Sequence, residues 1–258
     1  MQKVALITGA SKGIGKSLSE TFAKNGYSLI LVARNEDDLN KVSDDLKNRF
    51  KCETKVVAAD ISNSAGIDQL MAAINDELPN LEVLVNNAGY GKFEKFMDTE
   101  NKDITGMIDL NVTSLTDLTH KILPHMLKNK SGKILNVAST AAYQPGPNCA
   151  VYYATKAYVL SLSEALHEEF KKSGINITAL CPGVTKTAFF ERAGNSELST
   201  KVPGMTSEAV AQIGYDALMK NKRVAISGGM NNFLAILTNI TPNFILLKMV
   251  GYLNSAKK

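Results

Sequence analysis

Val4-Ala5-Leu6-Ile7-Thr8-Gly9-Ala10-Ser11-Lys12-Gly13-Ile14-Gly15 joins a short apolar run to a glycine-rich turn and then to a helical stretch. Four consecutive apolar residues with no alternation read as a strand buried on both faces. Glycine at 9, 13 and 15 tolerates positive φ and lets the backbone approach a ligand closely. The helix N-terminus beyond offers unpaired N–H groups and the positive end of a dipole, which suit a pyrophosphate. Gly9, Ser11, Lys12, Gly13, Ile14 and Gly15 are therefore candidate nucleotide contacts. Their spacing, G-x-x-x-G-x-G, differs from the commoner G-x-G-x-x-G fingerprint. Outside a strand–turn–helix setting the same residues would make an ordinary tight turn.

The alternation continues along the chain. Further strand candidates are Ser28–Val32, Thr54–Ala58, Val83–Val85, Lys133–Val137, Asn176–Leu180 and Arg223–Ile226. Between them lie helical stretches at roughly 13–17, 39–49, 66–78, 101–128, 152–172 and 206–220. Strand–helix alternation of this kind predicts right-handed crossovers and an α/β doubly wound parallel sheet. About seven strands are expected, with helices on both faces. No linker, low-complexity segment or further repeat breaks the pattern, so residues 1–258 read as a single domain.

Composition narrows the partners. Net charge is +4 and no basic run or basic-aromatic alternation occurs, which excludes a nucleic-acid reading. The three cysteines, Cys52, Cys149 and Cys181, are scattered and odd in number, as expected of a reduced cytoplasmic chain. They form no ligand-spaced cluster with His120, His125 or His167, so no metal is expected. Met1-Gln2-Lys3 lacks the character of a secretory leader. Residues 230–253 are apolar but are interrupted by Asn231, Asn232, Asn239, Pro242 and Lys248, so no transmembrane helix is expected.

At the end of the second strand stands Ala33-Arg34-Asn35. An acidic residue here would grip the ribose 2′-hydroxyl of NAD, whereas arginine suits the 2′-phosphate of NADP. Lys12 adds a cation on the same side, and the expected cofactor is NADP(H). Glu36, Asp37 and Asp38 then serve the N-terminus of the next helix, with Asn35 as its cap.

Tyr152-Tyr153-Ala154-Thr155-Lys156, with Ser139 upstream at the end of an apolar run, carries the chemistry. Tyr152 and Lys156 at i and i+4 project from one helix face. A tyrosine titrates near ~10, and a neighbouring ammonium favours its phenolate and can lower that value. Ser139 could polarise the oxygen that the tyrosine protonates. Alone, this spacing is common on helices; with the glycine turn it becomes equipment for a carbonyl or alcohol oxygen.

Taken together the sequence resembles the short-chain dehydrogenase/reductase family, of its NADP(H)-preferring type, over residues 3–227. Thr8, Gly9, Gly13, Ile14 and Gly15 match its glycine motif, and Asp60-Ile61 its adenine-contacting position. Asn86-Asn87-Ala88-Gly89 matches its N-N-A-G motif, Asn111 its helical asparagine, and Ser139, Tyr152 and Lys156 complete its tetrad. Pro182-Gly183-Val184-Thr185-Lys186-Thr187 resembles its nicotinamide-side loop, where Thr187 is alternatively a helix cap. The resemblance implies a Rossmann fold and hydride transfer between the nicotinamide and a carbonyl or alcohol carbon. It further implies Tyr152 as general acid/base, Ser139 as oxyanion partner and Lys156 as holder of the ribose hydroxyls. Asn111 would keep a helix carbonyl and water in line for a proton relay from Lys156. Cofactor contacts are expected from Gly9, Ser11, Lys12, Gly13, Ile14, Gly15, Arg34, Asp60, Ile61, Asn87, Ala88, Gly89, Tyr152, Lys156, Pro182, Gly183, Val184, Thr185 and Thr187. Tyr153 lies about a third of a turn around the helix from Tyr152 and reads as packing or pocket wall.

Around this centre Tyr90, Phe93, Ala141, Ala142, Gln144, Pro145, Asn148, Cys149, Phe189 and Phe190 make an apolar balance. That favours reduction of a hydrophobic ketone or aldehyde, with a 3-oxoacyl thioester or 3-hydroxy acid as the alternative. A non-catalytic NADP-binding sensor or scaffold is the rival of another class. Residues 188–205 suit a lid. At about 230–255 two apolar helices are expected, the second with Thr241 as N-cap and Pro242 at its first position. They would serve a homo-dimer or homo-tetramer interface or core packing, or else a pocket cover, with membrane-surface association less favoured.

Overall fold

The apolar runs become the strands β1 (Val4–Thr8), β2 (Ser28–Ala33), β3 (Thr54–Ala58), β4 (Leu81–Asn86), β5 (Gly132–Val137) and β6 (Ile175–Cys181). Two short strands, β7 (Thr185–Lys186) and β8 (Met205–Thr206), precede β9 (Val224–Ile226). The computed structural model describes residues 3–197 and 202–255. Seven strands form one sheet in the order β3-β2-β1-β4-β5-β6-β9, and every neighbouring pair is parallel. This is the doubly wound Rossmann-type architecture expected of the alternation.

Helices cover both faces: α1 (Gly13–Lys24), α2 (Glu36–Phe50), α3 (Ser64–Ala73), α4 (Asn101–Ile108), α5 (Leu115–Lys128), α6 (Ala150–Glu169), α7 (Phe189–Arg192) and α8 (Ser207–Met219). The period-two geometry of β1 divides its side chains between two cores. Ala5 and Ile7 pack with Leu18, Phe22 and Leu218, whereas Leu6 packs with Ile30, Leu84, Ile122 and Ile134. Strand order reverses between β1 and its neighbours β2 and β4, and the crevice at such a switch point is where open α/β sheets take ligands.

Several elements differ from expectation. The stretch 101–128 is not one helix: α4 and α5 are separated by a π turn over Asp109–Ser114. A π turn inserts one residue into the helical repeat and breaks its regular hydrogen-bond ladder. The 66–78 stretch ends at Ala73, followed by a short 3₁₀ turn at Leu78–Asn80. The first helix runs to Lys24, well past residue 17, because Leu18, Phe22 and Ala23 continue its buried face. The lid stretch 188–205 contains α7 and is closed by pairing of β7 with β8; its residues 198–201 lie outside the described residues.

The C-terminal helices are α9 (Gly229–Ile240) and α10 (Asn243–Asn254). Thr241 does not cap α10. Its hydroxyl donates to the Leu237 carbonyl of α9 at 2.7 Å, and Pro242 takes the N-cap position without a side-chain bond. The first helical position passes to Asn243 because the threonine is already engaged by the preceding turn.

Candidate active site

Thr8 ends β1 and fixes the glycine turn against β4. Its hydroxyl donates to the Val85 carbonyl at 3.2 Å and accepts from the backbone N–H groups of Asn87 and Ala88, each at 3.0 Å. Asn87 returns the bond, donating its side-chain N–H to the Thr8 carbonyl at 2.8 Å and to the Gly9 carbonyl at 3.2 Å. Gly9 and Gly13 have φ of +65° and +55°, which strain any other residue. Gly15 serves packing: a Cβ there would run into the Gly9 carbonyl and the Asn87 amide. At the start of α1, Lys12 provides no side-chain cap and the first turn carries no acidic residue. Its free N–H groups suit an anion. The other sheet-covering helices near this edge are capped by their own residues, α2 by Asn35 and α3 by Asn63.

A cleft of ≈ 710 Å³ runs from this turn across the carboxyl ends of the strands. Along one half it is lined by Gly9, Ser11, Lys12, Gly13, Ile14, Arg34, Asp60 and Ile61. The middle is lined by Asn87, Ala88, Gly89, Ser139, Tyr152 and Lys156, and the far wall by Pro182, Gly183, Val184, Thr185 and Thr187. Every expected contact except Gly15 and Asn111 thus reaches one continuous cavity. The glycine turn, the exposed helix start and this length of cleft fit a dinucleotide.

The end of the cleft at Lys12 and Arg34 is more balanced in charge than the residue types suggest. Lys12 pairs with Asp38 at 2.8 Å, and that ammonium holds the Asp38 carboxyl below its usual range. Asp38 also donates its backbone N–H to the Asn35 cap at 2.7 Å. Arg34 is exposed beside this pair and has no salt-bridge partner among the described residues. Asp60 is exposed, and its carboxylate accepts from the Ser62 N–H at 3.1 Å.

In the middle of the cleft α6 carries Tyr152 and Lys156, both buried. Burial pushes the Tyr152 phenol well above its ordinary range, with a hydrogen bond to Ser139 pulling the other way. The expected lowering by Lys156 is not what prevails. Desolvation disfavours the phenolate more strongly, and it also pushes Lys156 down to about 8. The Lys156 ammonium donates to the Val137 carbonyl at 2.8 Å and lies 5.9 Å from the centre of the Tyr152 ring. Ser139 has extended backbone, and its hydroxyl accepts from the Ala141 N–H at 3.1 Å.

Asn111 sits in the π turn and is buried, which is why it does not line the cleft. Its amide oxygen accepts from the Tyr90 N–H at 3.1 Å, while its amide nitrogen donates to the Tyr90 carbonyl at 2.9 Å and to Thr155 Oγ1 at 3.0 Å. A Cβ on Gly89 would meet the Asn111 oxygen at 2.8 Å and the Lys156 nitrogen at 3.5 Å, so these two side chains flank the same glycine. Thr155 was missed by sequence reasoning, as was a buried polar chain behind the site. There Asn86 donates to Asn136 and Thr119, and Asn136 donates to Ser163, each at 2.9 Å. Polar residues inside otherwise apolar runs were the available signal.

The wall beside Tyr152 is aromatic. Phe189 lies 5.5 Å from the Tyr152 ring and 5.3 Å from Phe190, which packs 5.9 Å from Phe93. The Phe93 N–H donates to the Ala193 carbonyl at 2.8 Å and ties the α7 segment to the loop after β4. Tyr153 points its hydroxyl at Asn254, donating at 3.2 Å, and its ring packs against Gly146. Thr187 does not cap α7, whose N-cap is Ala188: its hydroxyl accepts from the Phe189 N–H at 3.3 Å one residue inside that position, and its methyl faces Gly13.

Comparison with known proteins agrees with this geometry. The family model for short chain dehydrogenase matches residues 3–198. The very-long-chain 3-oxoacyl-CoA reductase of Homo sapiens is 31% identical over 268 residues, which cover 98% of this chain and 80% of that protein. A short-chain dehydrogenase from Sphingobium yanoikuyae, solved in complex with NADPH, is 29% identical and superposes with a TM-score of 0.81 over 93% of this chain and 96% of that one. The 3-ketoacyl-(acyl-carrier-protein) reductase from Brucella melitensis, complexed with NADH, is 30% identical with a TM-score of 0.78, covering 89% and 98%.

Proposed function

The chain belongs to the short-chain dehydrogenase family, an oxidoreductase acting on carbonyl and alcohol groups, and on that premise we propose that it is an NADP(H)-dependent reductase of a hydrophobic carbonyl compound with Tyr152 as its proton donor. The observation that carries this is the meeting of Ser139, Tyr152 and Lys156 with the glycine turn in one cleft. When bound, the nicotinamide supplies the hydride to the substrate carbon. The carbonyl oxygen, gaining the electron pair, takes its proton from Tyr152. A phenol raised by burial stays protonated at neutral pH, the state a donor needs for reduction. Ser139 donates its hydroxyl to the same oxygen as charge develops. Lys156 is held by Val137 so that its ammonium compensates the phenolate left behind. Asn111 acts through position, bridging Tyr90 and Thr155 where the π turn interrupts the ladder.

Arg34 supports NADPH over NADH. Lys12 can follow, since an exposed ion pair such as Lys12–Asp38 contributes little and exchanges readily for a phosphate. Within the reductase class, a 3-oxoacyl thioester is the second reading, favoured by the relation to the human very-long-chain 3-oxoacyl-CoA reductase along almost the whole chain. An NADPH-oxidation screen over ketones, aldehydes, steroids and 3-oxoacyl thioesters, with Tyr152→Phe as the blank, tests both. Turnover of at least one carbonyl class by the parent alone is expected. NADPH binding without any turnover would leave the sensor reading in its place.

A further inference from the structure

The two C-terminal helices bury only one side. Ala235, Leu246, Val250 and Asn254 face the protein, the last three at the i, i+4, i+8 spacing of one helix face. On the outward side Phe233, Ile236, Ile240, Phe244, Met249 and Leu253 are each more than half exposed. Single exposed apolar residues are ordinary, but six on two successive helices mark an interaction surface. Core packing thus accounts for the inner face of α9 and α10 and leaves the outer one unpartnered.

Charge decides what covers it. From Ala217 to Lys258 the chain has no acidic residue and six basic ones, Lys220, Lys222, Arg223, Lys248, Lys257 and Lys258; Lys248 lies on α10 itself, and Arg223 is paired with Glu164 at 3.0 Å. The whole chain is only +4, so residues 1–216 are net −2 and the positive charge is concentrated in this last segment. A symmetric contact through α9 and α10 would bury Lys248 of both copies with no carboxylate on either helix to pair it. An anionic lipid surface answers both properties, taking the apolar side chains into the acyl boundary and the cations among its headgroups. Among the described residues no helix is long and apolar enough to cross a membrane, so α9 and α10 would lie on its surface.

We propose that the outer face of α9 and α10 docks on an anionic phospholipid bilayer. Attachment at this place bears on the site. Asn254 accepts from the Tyr153 hydroxyl and donates to the Pro147 carbonyl at 3.0 Å, and Asn148 donates to the Gly251 carbonyl at 3.3 Å. The docked helix is therefore pinned to the loop between Ser139 and Tyr152, and the substrate side of the cleft is held near the lipid. That consequence rests on the reductase reading; the docking itself does not.

The test is co-sedimentation of the full chain with phosphatidylglycerol-containing vesicles and with pure phosphatidylcholine vesicles. The expected result is association with the anionic vesicles, falling about tenfold or more on pure phosphatidylcholine or at ~0.5 M salt. The double substitution Ile236→Gln with Met249→Gln should lower the partition by about tenfold while NADPH binding, measured by fluorescence, is kept. Lys248→Glu, on an exposed position, should lower it with no apolar group removed. Failure of the parent chain to sediment with anionic vesicles overturns the proposal, as does binding unchanged by all of these substitutions. So does a parent oligomer that the double substitution dissociates in ultracentrifugation, which would assign the face to a second copy. Vesicle binding is read without turnover, so its failure is distinguishable from failure of the reductase reading.

Discussion

The two halves of the cleft are built on different principles. In the half over β1, β2 and β3 the ligand surface is mostly backbone: two positive-φ glycines, a helix start without a cap, and Asn87 locking the turn in place. In the half beyond Tyr152 it is side chain: Phe93, Phe189 and Phe190 in tilted and edge contacts, with Tyr153 behind. Backbone cradles tolerate few residue types, whereas an aromatic wall can be rebuilt from many. The first half therefore specifies one ligand class, and the second can drift with the substrate. Tyr152 and Lys156 stand at the seam, where removal of the Tyr152 hydroxyl alone should stop chemistry while both partners still bind.

The largest expected effect breaks that seam. Tyr152→Phe removes the proposed proton donor and leaves the ring, with its contact to Phe189, in place. Carbonyl reduction should fall by roughly 10²–10⁴-fold in kcat, the usual contribution of a positioned acid. Titration of NADPH fluorescence should show binding within a few fold of the parent. A comparable loss of binding would mean that the two halves are not separable. Arg34→Asp probes the cofactor half alone: a charged hydrogen bond of about 1.5–3 kcal/mol predicts NADPH affinity weaker by roughly 10–100-fold. NADH affinity should change little, and equal losses for both would remove the basis for the proposed NADP preference.

Acidity sharpens the same boundary. Lys156, lowered by burial to about 8, carries its charge below that pH and loses it above. Tyr152 titrates higher still and remains protonated throughout. Since kcat/KM reports groups of the free enzyme, reduction should decline about tenfold per pH unit once pH rises past about 8. In Lys156→Arg, whose guanidinium does not titrate there, that limb should vanish whatever the residual rate. A limb that persists unchanged in the arginine variant would assign the titration to another group.

What the sequence reveals follows the same division. Gly9, Gly13 and Asn87 are legible because turn geometry and backbone pairing demand those residue types, and the strands are legible because burial on both faces leaves continuous apolar runs. The π turn at Asp109–Ser114 is not, since no glycine or proline marks it and the 101–128 pattern is helical throughout. The Lys12–Asp38 pair joins residues from two successive βα turns, visible only once β1 and β2 lie side by side. The direction in which Tyr152 shifts is likewise hidden. A neighbouring lysine can be read from spacing, but the burial that outweighs it comes from Phe189, Gly91 and the loop after β4, far away in the chain.

The smallest expected effect lies in the aromatic half. Phe189→Ala removes a ring that touches Tyr152 on one side and Phe190 on the other, from a short helix tied down at Ala193. The position is only partly buried and α7 spans four residues, so the chain can relax around the loss without global unfolding. A lost apolar contact with substrate predicts KM higher by several fold, on the order of 1–2 kcal/mol, with kcat nearly unchanged because Ser139, Tyr152 and Lys156 are held by other elements. NADPH affinity should not move, since Phe189 lies beyond Thr187 on the substrate side. A fall in kcat with KM unchanged would mean instead that the ring orients the phenol, and the wall would then belong to the chemistry it faces.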